Sequence, residues 1–359
     1  MTFDCIVVGS HLRFDGVWQR PQHIATRLGV RAPVLFVEEP FLGSADTDRI
    51  VARGALSVLR PTRRDLAAPA IDDATLDAVR RWVAWRRALV WLYTPMMNPL
   101  AAAFAWERVV YDRMDDLASF DHAPAGLRER EDLLLENARD VFAGGRSLYE
   151  RCRGYGAKVR LASSGVEYEH FARARAIAPH RVIADLSAGV SAAPKRPVFG
   201  YAGVIDERID FAAIAALAAR PVEVFLVGPV TKIDGALLPR RTNVHFTGQM
   251  RYGDLPSLFA GFDAAIMPFA RGSATASISP TKTPEYLAAG LPVVSTPIAD
   301  VVAAYADVVR FARDPVDFAE ACLTTVPRDF ERVERGAALA RAADWDAIVT
   351  RMVAVIEGE

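Results

Sequence analysis

The feature that most limits how this chain can fold is an alternation, run twice, of short apolar segments with segments of helical period. In the first half, residues 4–10, 33–39, 89–95, 108–114, 140–145 and 159–165 are runs rich in Val, Leu or Phe, each closing on Gly, Pro, Ser or an acid. Runs this continuously apolar suit strands of a parallel sheet covered on both faces, where neither side leaves room for a solvated polar row. Helical candidates lie between them at 17–29, 73–87, 126–138 and 146–155. The order predicts a doubly wound α/β domain. The pattern lapses over 172–196, which is Ala- and Arg-rich with Pro179 and Pro194, and resumes at 198–204, 222–229, 243–248, 263–269, 292–297 and 308–312. Residues 1–171 and 197–340 are therefore expected to form two Rossmann-like domains, joined by a linker over 172–196 and facing across a cleft. Within 341–359, Trp345, Ile348, Val349, Met352, Val353 and Ile356 share one helical face, which predicts a C-terminal helix returning to the first domain.

A chain of 359 residues, 52% hydrophobic and 24% charged, suits two domains that each bury a full core. The 43 basic residues balance 44 acidic ones, which argues against a nucleic-acid partner. Cys5, Cys152 and Cys322 are scattered, outside any metal-ligand spacing, as expected of buried thiols in a reducing cytoplasm. The N-terminal apolar run is too short for a signal peptide and no run is long enough to span a bilayer, so a cytoplasmic location is expected.

The most informative segment is SISPTKTPEYLAAGLPVVST, 277–296. Pro280 and Pro284 bracket a polar turn, and an apolar helix follows that ends at Gly290. Helix N-termini offer free N–H groups to a diphosphate. Lys282 adds a charge, Ser279, Thr281 and Thr283 add hydroxyls, and Glu285 is placed to accept from ribose hydroxyls. Spacing alone leaves a plain helix start, with a carboxylate near its dipole, equally open. In VVYDRMDDLASF, 109–120, Asp112 ends an apolar strand and Asp115 and Asp116 follow, so crowded carboxylates are candidates for a general base, Asp115 first. The alternative is a loop whose acids cap the next helix. In RRWVAWRRALVW, 80–91, Arg80, Arg81, Arg86 and Arg87 flank Trp82 and Trp85. They suit either a membrane surface or a helix whose tryptophans pack on the sheet while the arginines snorkel.

Taken together, these segments resemble GT-B glycosyltransferases of the large group 1 type. The segment 277–296 is similar to that family's Pro-x-Lys-x-x-Glu-Tyr-x-Ala-x-Gly-x-Pro-Val-Val pattern. SSGVEYEHF (163–171), FGYAGVIDERIDF (199–211), 243–269 and 343–352 resemble its other segments in order. FDGVWQRPQHIATRLG (14–29) looks like a bacterial polysaccharide-synthesis subgroup with a Trp-Gln-Arg-Pro-Gln-His motif. The resemblance implies a metal-independent transfer of a sugar from a nucleoside-diphosphate sugar, with UDP favoured, to a glycan or lipid-linked acceptor, with no cofactor. Donor binding is implied for Gly203, Arg208, Gly248, Ser279, Thr281, Lys282, Thr283 and Glu285, and acceptor- or sugar-side roles for Ser10, Arg20, Gln22 and His23. One departure stands out: the family's first acid, eight positions before Glu285, is Ser277 here. That leaves a retaining mechanism open to question and keeps two alternatives, a nucleotide-sugar epimerase and a catalytically silent binding subunit. A membrane contact through the arginine–tryptophan run would place the enzyme at the inner face of the membrane.

Overall fold

The structure, a computed structural model, describes residues 3–65, 71–120, 123–188, 196–231, 233–272, 275–276, 278–326 and 329–358; Ser277 and residues 189–195 of the expected linker lie outside them. The chain divides into two compact units, residues 1–164 with 345–359, and residues 165–344.

The first unit is built on β1 (Cys5–Ser10), β2 (Val34–Glu38), β3 (Phe41–Leu42), β4 (Thr47–Arg53), β5 (Leu56–Arg63), β6 (Ala88–Leu92), β7 (Arg108–Arg113), β8 (Asp140–Ala143) and β9 (Val159–Leu161). They lie in the order β3-β5-β2-β1-β6-β7-β8-β9, with β4 antiparallel on β5. Residues alternate between two cores. Ile6, Val8, Phe36, Leu89 and Trp91 pack against the helices Arg20–Gly29 and Trp345–Glu357. Cys5, Val7, Leu35, Val90 and Leu92 pack against Asp73–Val83 and Leu127–Asn137. Both faces are covered, which is why these strands read as unbroken apolar runs. The strands β3, β4 and β5 were not expected, because charged residues such as Asp48, Arg49 and Arg53 on β4 suit the exposed hairpin at the sheet's edge and leave no apolar run to read.

The second unit holds β10 (Val198–Ala202), β11 (Glu223–Val227), β12 (Val244–Gly248), β13 (Ala264–Met267), β14 (Val293–Ser295) and β15 (Val309–Phe311). All are parallel, in the order β12-β11-β10-β13-β14-β15. The winding reverses between β10 and β13, so the carboxyl ends of those two strands flank the crevice where open α/β sheets bind ligands.

Two boundaries differ from the expected ones. Tyr168, Phe171 and Ile183 are buried in the second unit's core, and the helix Arg181–Ala188 occupies much of the expected linker. Gly261 leaves room for that helix, since a Cβ there would stand 2.8 Å from Ile183 Cδ1. The few apolar residues of 172–188 are spaced for a single helical face, so the stretch looks like a linker until it has something to pack on. At the other end the second unit runs to Asp344, and only the helix from Trp345 belongs to the first.

Candidate functional site

In the second unit, three glycines meet at the carboxyl edge of the sheet. Gly203 N–H donates to the Val227 carbonyl at 2.8 Å, and Gly228 N–H to the Gly248 carbonyl at 2.9 Å. Gly228 has φ +147°, and a Cβ there would lie 1.9 Å from the Gly203 oxygen, so only glycine lets these two turns touch. Gly248, at φ +71°, ends β12 beside them. The loop beyond Gly203 is sewn to the segment after β13. Asp210 N–H donates to the Pro268 carbonyl at 2.7 Å and Ala270 N–H to the Arg208 carbonyl at 2.8 Å. This fixes Arg208 at the switch point, where Asp206 holds its guanidinium from both carboxylate oxygens, at 3.0 and 3.1 Å to Nε and 2.7 Å to Nη2.

The helix Lys282–Ala288 is pinned over the same crevice. The Tyr286 hydroxyl, fully buried, accepts from Ala202 N–H at the end of β10 at 2.8 Å, and the Thr283 hydroxyl lies 3.3 Å from the Met267 sulfur at the end of β13. Lys282 Nζ donates to both oxygens of Glu285, at 2.9 and 3.2 Å. Glu285 is 2% exposed. Burial pushes its carboxyl above the ordinary carboxylate range, and the Lys282 ammonium opposes that rise. Ser279 and Thr281 are half-buried in the preceding turn. The Thr283 hydroxyl, expected to face a ligand, is buried against the Met267 sulfur of β13 in this structure. The helix has seven residues, so the formal charge of Lys282 outweighs a short macrodipole at this end. Tyr286 and Gly228 were not singled out from the sequence, although the Gly closing 222–229 was a signal for the second.

In the first unit the residues expected on the acceptor side turn out to be internal. Arg20 is fully buried; its Nε and Nη2 each stand 2.9 Å from Asp112 Oδ1, and Trp91 Nε1 donates to Asp112 Oδ2 at 3.2 Å. Gln22 closes a capping box with Gln19 and donates to the Arg13 and Val17 carbonyls. His23 accepts from Trp18 Nε1 at 3.0 Å and stacks on Trp345 at 5.1 Å. The Ser10 hydroxyl, also buried, accepts from Leu12 N–H at 3.0 Å. Ser10, Arg20, Gln22 and His23, expected on the acceptor side, are thus engaged within the first unit in this structure. The Trp-Gln-Arg-Pro-Gln-His motif ties the loop after β1, the helix Arg20–Gly29 and the C-terminal helix to one another.

The three acids separate in the same way. Burial pushes the Asp112 carboxyl up while Arg20 opposes it, and with no solvent access Asp112 cannot serve as a base for an acceptor hydroxyl. Asp116 is buried against Arg113, Arg151 and Ser119. Asp115 is half-buried between them in the loop after β7. Among the described residues, no group of three His, Cys, Asp or Glu is placed to hold a metal ion. The Asp-x-Asp spacings at Asp46–Asp48 and Asp344–Asp346 are engaged elsewhere, Asp48 by Arg63 and Asp346 by Arg27.

The arginine–tryptophan run divides. Trp82 packs half-buried beneath Arg86, whereas Trp85 is 90% exposed. Trp85 follows Ala84, the one non-glycine residue at positive φ (+51°) among those described. The turn lies at the amino end of β6, across the sheet from Asp112. Five strand residues make that about 16 Å. No helix among the described residues is long and apolar enough to cross a membrane.

Residues 196–326 match the family described as Glycosyl transferases group 1. A Bacillus subtilis (strain 168) protein, assigned by its name to teichuronic acid biosynthesis as the glycosyltransferase TuaH, is 26% identical over 319 residues, 81% of this chain and 76% of its own. Sucrose-phosphate synthase from Thermosynechococcus elongatus superposes with a TM-score of 0.76 at 15% identity, over 99% of this chain and 98% of that one. HepE of Anabaena, solved with UDP and glucose, does so with 0.72 at 16%, over 99% of both chains. At such identities the structural likeness speaks for the fold alone, and the activity rests on the family match and the Bacillus relative. By these matches the chain is a glycosyltransferase with the GT-B fold, and its residues 196–326 are similar to the group 1 glycosyl transferases.

Proposed function

We propose that the protein transfers a sugar from a nucleoside-diphosphate sugar, UDP being the favoured nucleotide, to a glycan or lipid-linked acceptor in bacterial surface polysaccharide or glycolipid synthesis. The observation that carries the donor reading is the Lys282–Glu285 pair, fixed over the β10–β13 switch point by Tyr286 and Thr283. A diphosphate at that edge would meet Lys282, Arg208 and the backbone of Gly203 and Gly248, while Glu285, oriented by Lys282, takes the ribose hydroxyls. Cations and backbone dipoles then stabilise the leaving diphosphate without a divalent metal. Of Asp112 on β7 and Asp115 and Asp116 in the loop beyond it, Asp115 alone retains partial access, and it is our candidate for the base that deprotonates the acceptor. The Bacillus relative's name supports the polysaccharide setting. Ligand stabilisation tests the donor site. UDP at 100 times its Kd should stabilise the protein by about 2.7 kcal/mol. No thermal shift with UDP, GDP or dTDP would remove the donor reading. Given transfer by the native enzyme, Asp115→Asn should slow turnover about a hundredfold or more with donor affinity unchanged.

The same proposal includes a peripheral contact with an anionic membrane through Arg80, Arg81, Trp82, Trp85, Arg86 and Arg87. An indole exposed this fully beside guanidinium groups suits the headgroup layer, with Trp85 as the inserted ring and Trp82 as its support. The contact lies across the sheet from Asp115 and would anchor the enzyme without occupying its acceptor side. Trp85→Ser should weaken sedimentation with phosphatidylglycerol-containing vesicles about tenfold, leave activity on soluble donor intact, and lose its effect in high salt. Equal binding by the variant would rule this contact out.

A further inference from the structure

The loop that carries Arg208 also carries a carboxylate the donor site has not used. Both oxygens of Glu207 are shielded from water, each exposing under 1 Å², and neither has a hydrogen-bond partner. The next residue is an arginine, yet Arg208 is clamped by Asp206 from the other side. Buried acceptors are nearly always paired, and a shielded carboxylate without a donor is costly, so such a group points to a ligand that brings donors with it. Its place is fixed by the backbone. Ile205 N–H bonds the Pro229 carbonyl, Ile209 pairs with Phe269, and Glu207 is held between these two anchors at the switch point.

We propose that Glu207 accepts hydrogen bonds from hydroxyls of the sugar being transferred and sets which sugar the enzyme takes. The proposal rests on the donor reading above and deepens it. Of the parts of a UDP-sugar, the diphosphate would be repelled by a second negative charge, and its place is beside Arg208. The ribose hydroxyls fall to Glu285. The uracil edge offers a single donor, N3–H, set between two carbonyl oxygens that a carboxylate repels. The sugar hydroxyls are the donors without such flanking acceptors, and a carboxylate binds a vicinal pair through both oxygens. A site built this way rejects a sugar lacking the hydroxyl more strongly than an apolar pocket rejects an extra group, because the unmet carboxylate stays buried.

Calorimetry with UDP and with UDP-glucose and UDP-galactose, on the native enzyme and on Glu207→Gln and Glu207→Ala, separates the possibilities. UDP affinity should stay within twofold in both variants. Affinity for the better-bound UDP-sugar should fall about tenfold or more in Glu207→Ala, less in the near-isosteric Glu207→Gln, and the preference between the two sugars should narrow. Equal losses for UDP and UDP-sugar would overturn the proposal, since Glu207 would then act on the nucleotide or the loop; so would no loss for either. If the native enzyme binds neither UDP nor its sugars, the donor reading itself fails and this proposal with it. Native-like melting of Glu207→Gln guards against reading a folding defect as a lost contact.

Discussion

Replacing Lys282 by methionine is expected to slow transfer severely and to loosen the second unit at the same time. Methionine keeps the length of the side chain and removes only the charge, which leaves Glu285, 2% exposed, without its counter-ion. Removing one partner of a buried pair costs about 3–5 kcal/mol, because the other charge stays desolvated. Part of that loss will be relieved by protonation of Glu285, whose carboxyl burial already pushes upward. Turnover should fall about 10²–10³-fold, the usual loss when one charge stabiliser of a developing anion is removed. Stability alone could mimic that outcome, so the deciding variant is Lys282→Met with Glu285→Gln. Two neutral groups of nearly native shape should recover most of the melting temperature while the enzyme stays inactive and UDP binding stays weak. Recovered activity in the double variant would mean that the pair only braces the helix.

The second large effect is expected in the first unit and has the opposite signature. Arg20→Met strands the Asp112 carboxylate among Trp91 and the strand ends, with no water to reach it. A loss of about 3–5 kcal/mol should follow, visible as an early transition in calorimetry. Adding Asp112→Asn removes the unpaired charge and should restore much of the stability. Here the double variant should also work, with kcat/KM within about fivefold of native. These side chains are interior ties, and removing a tie without disturbing packing leaves the chemistry alone. A stable but inactive double variant would instead return Arg20 to the ligand-binding residues.

The contrast between these two pairs shows how far the chain could be read unaided. Both segments carry charged residues beside Pro at a helix start, and both resembled ligand sites. Lys282 and Glu285 are three positions apart, so one turn of helix brings them together and their pairing is a local matter. Arg20 and Asp112 are 92 positions apart, and only the sheet order, with β6 between β1 and β7, brings Asp112 under Arg20.

What the amino-acid order determined by itself is the set of buried parallel strands and the helices between them. Both sheet faces are covered, and continuous apolar runs of the right length have few other uses. It also supplied the glycine at 228, where a Cβ would lie 1.9 Å from the Gly203 oxygen and part the two turns. Only the tertiary structure decided which polar groups are spent inside the protein and which remain for a ligand. Tyr286 reaching Ala202, Asp206 taking Arg208, Trp82 packing while Trp85 three residues on stands in solvent, and Glu207 left without a donor all depend on what the fold brings alongside. A side chain's chemistry is written in its identity, but its availability is set by its neighbours, and most of those come from elsewhere in the chain.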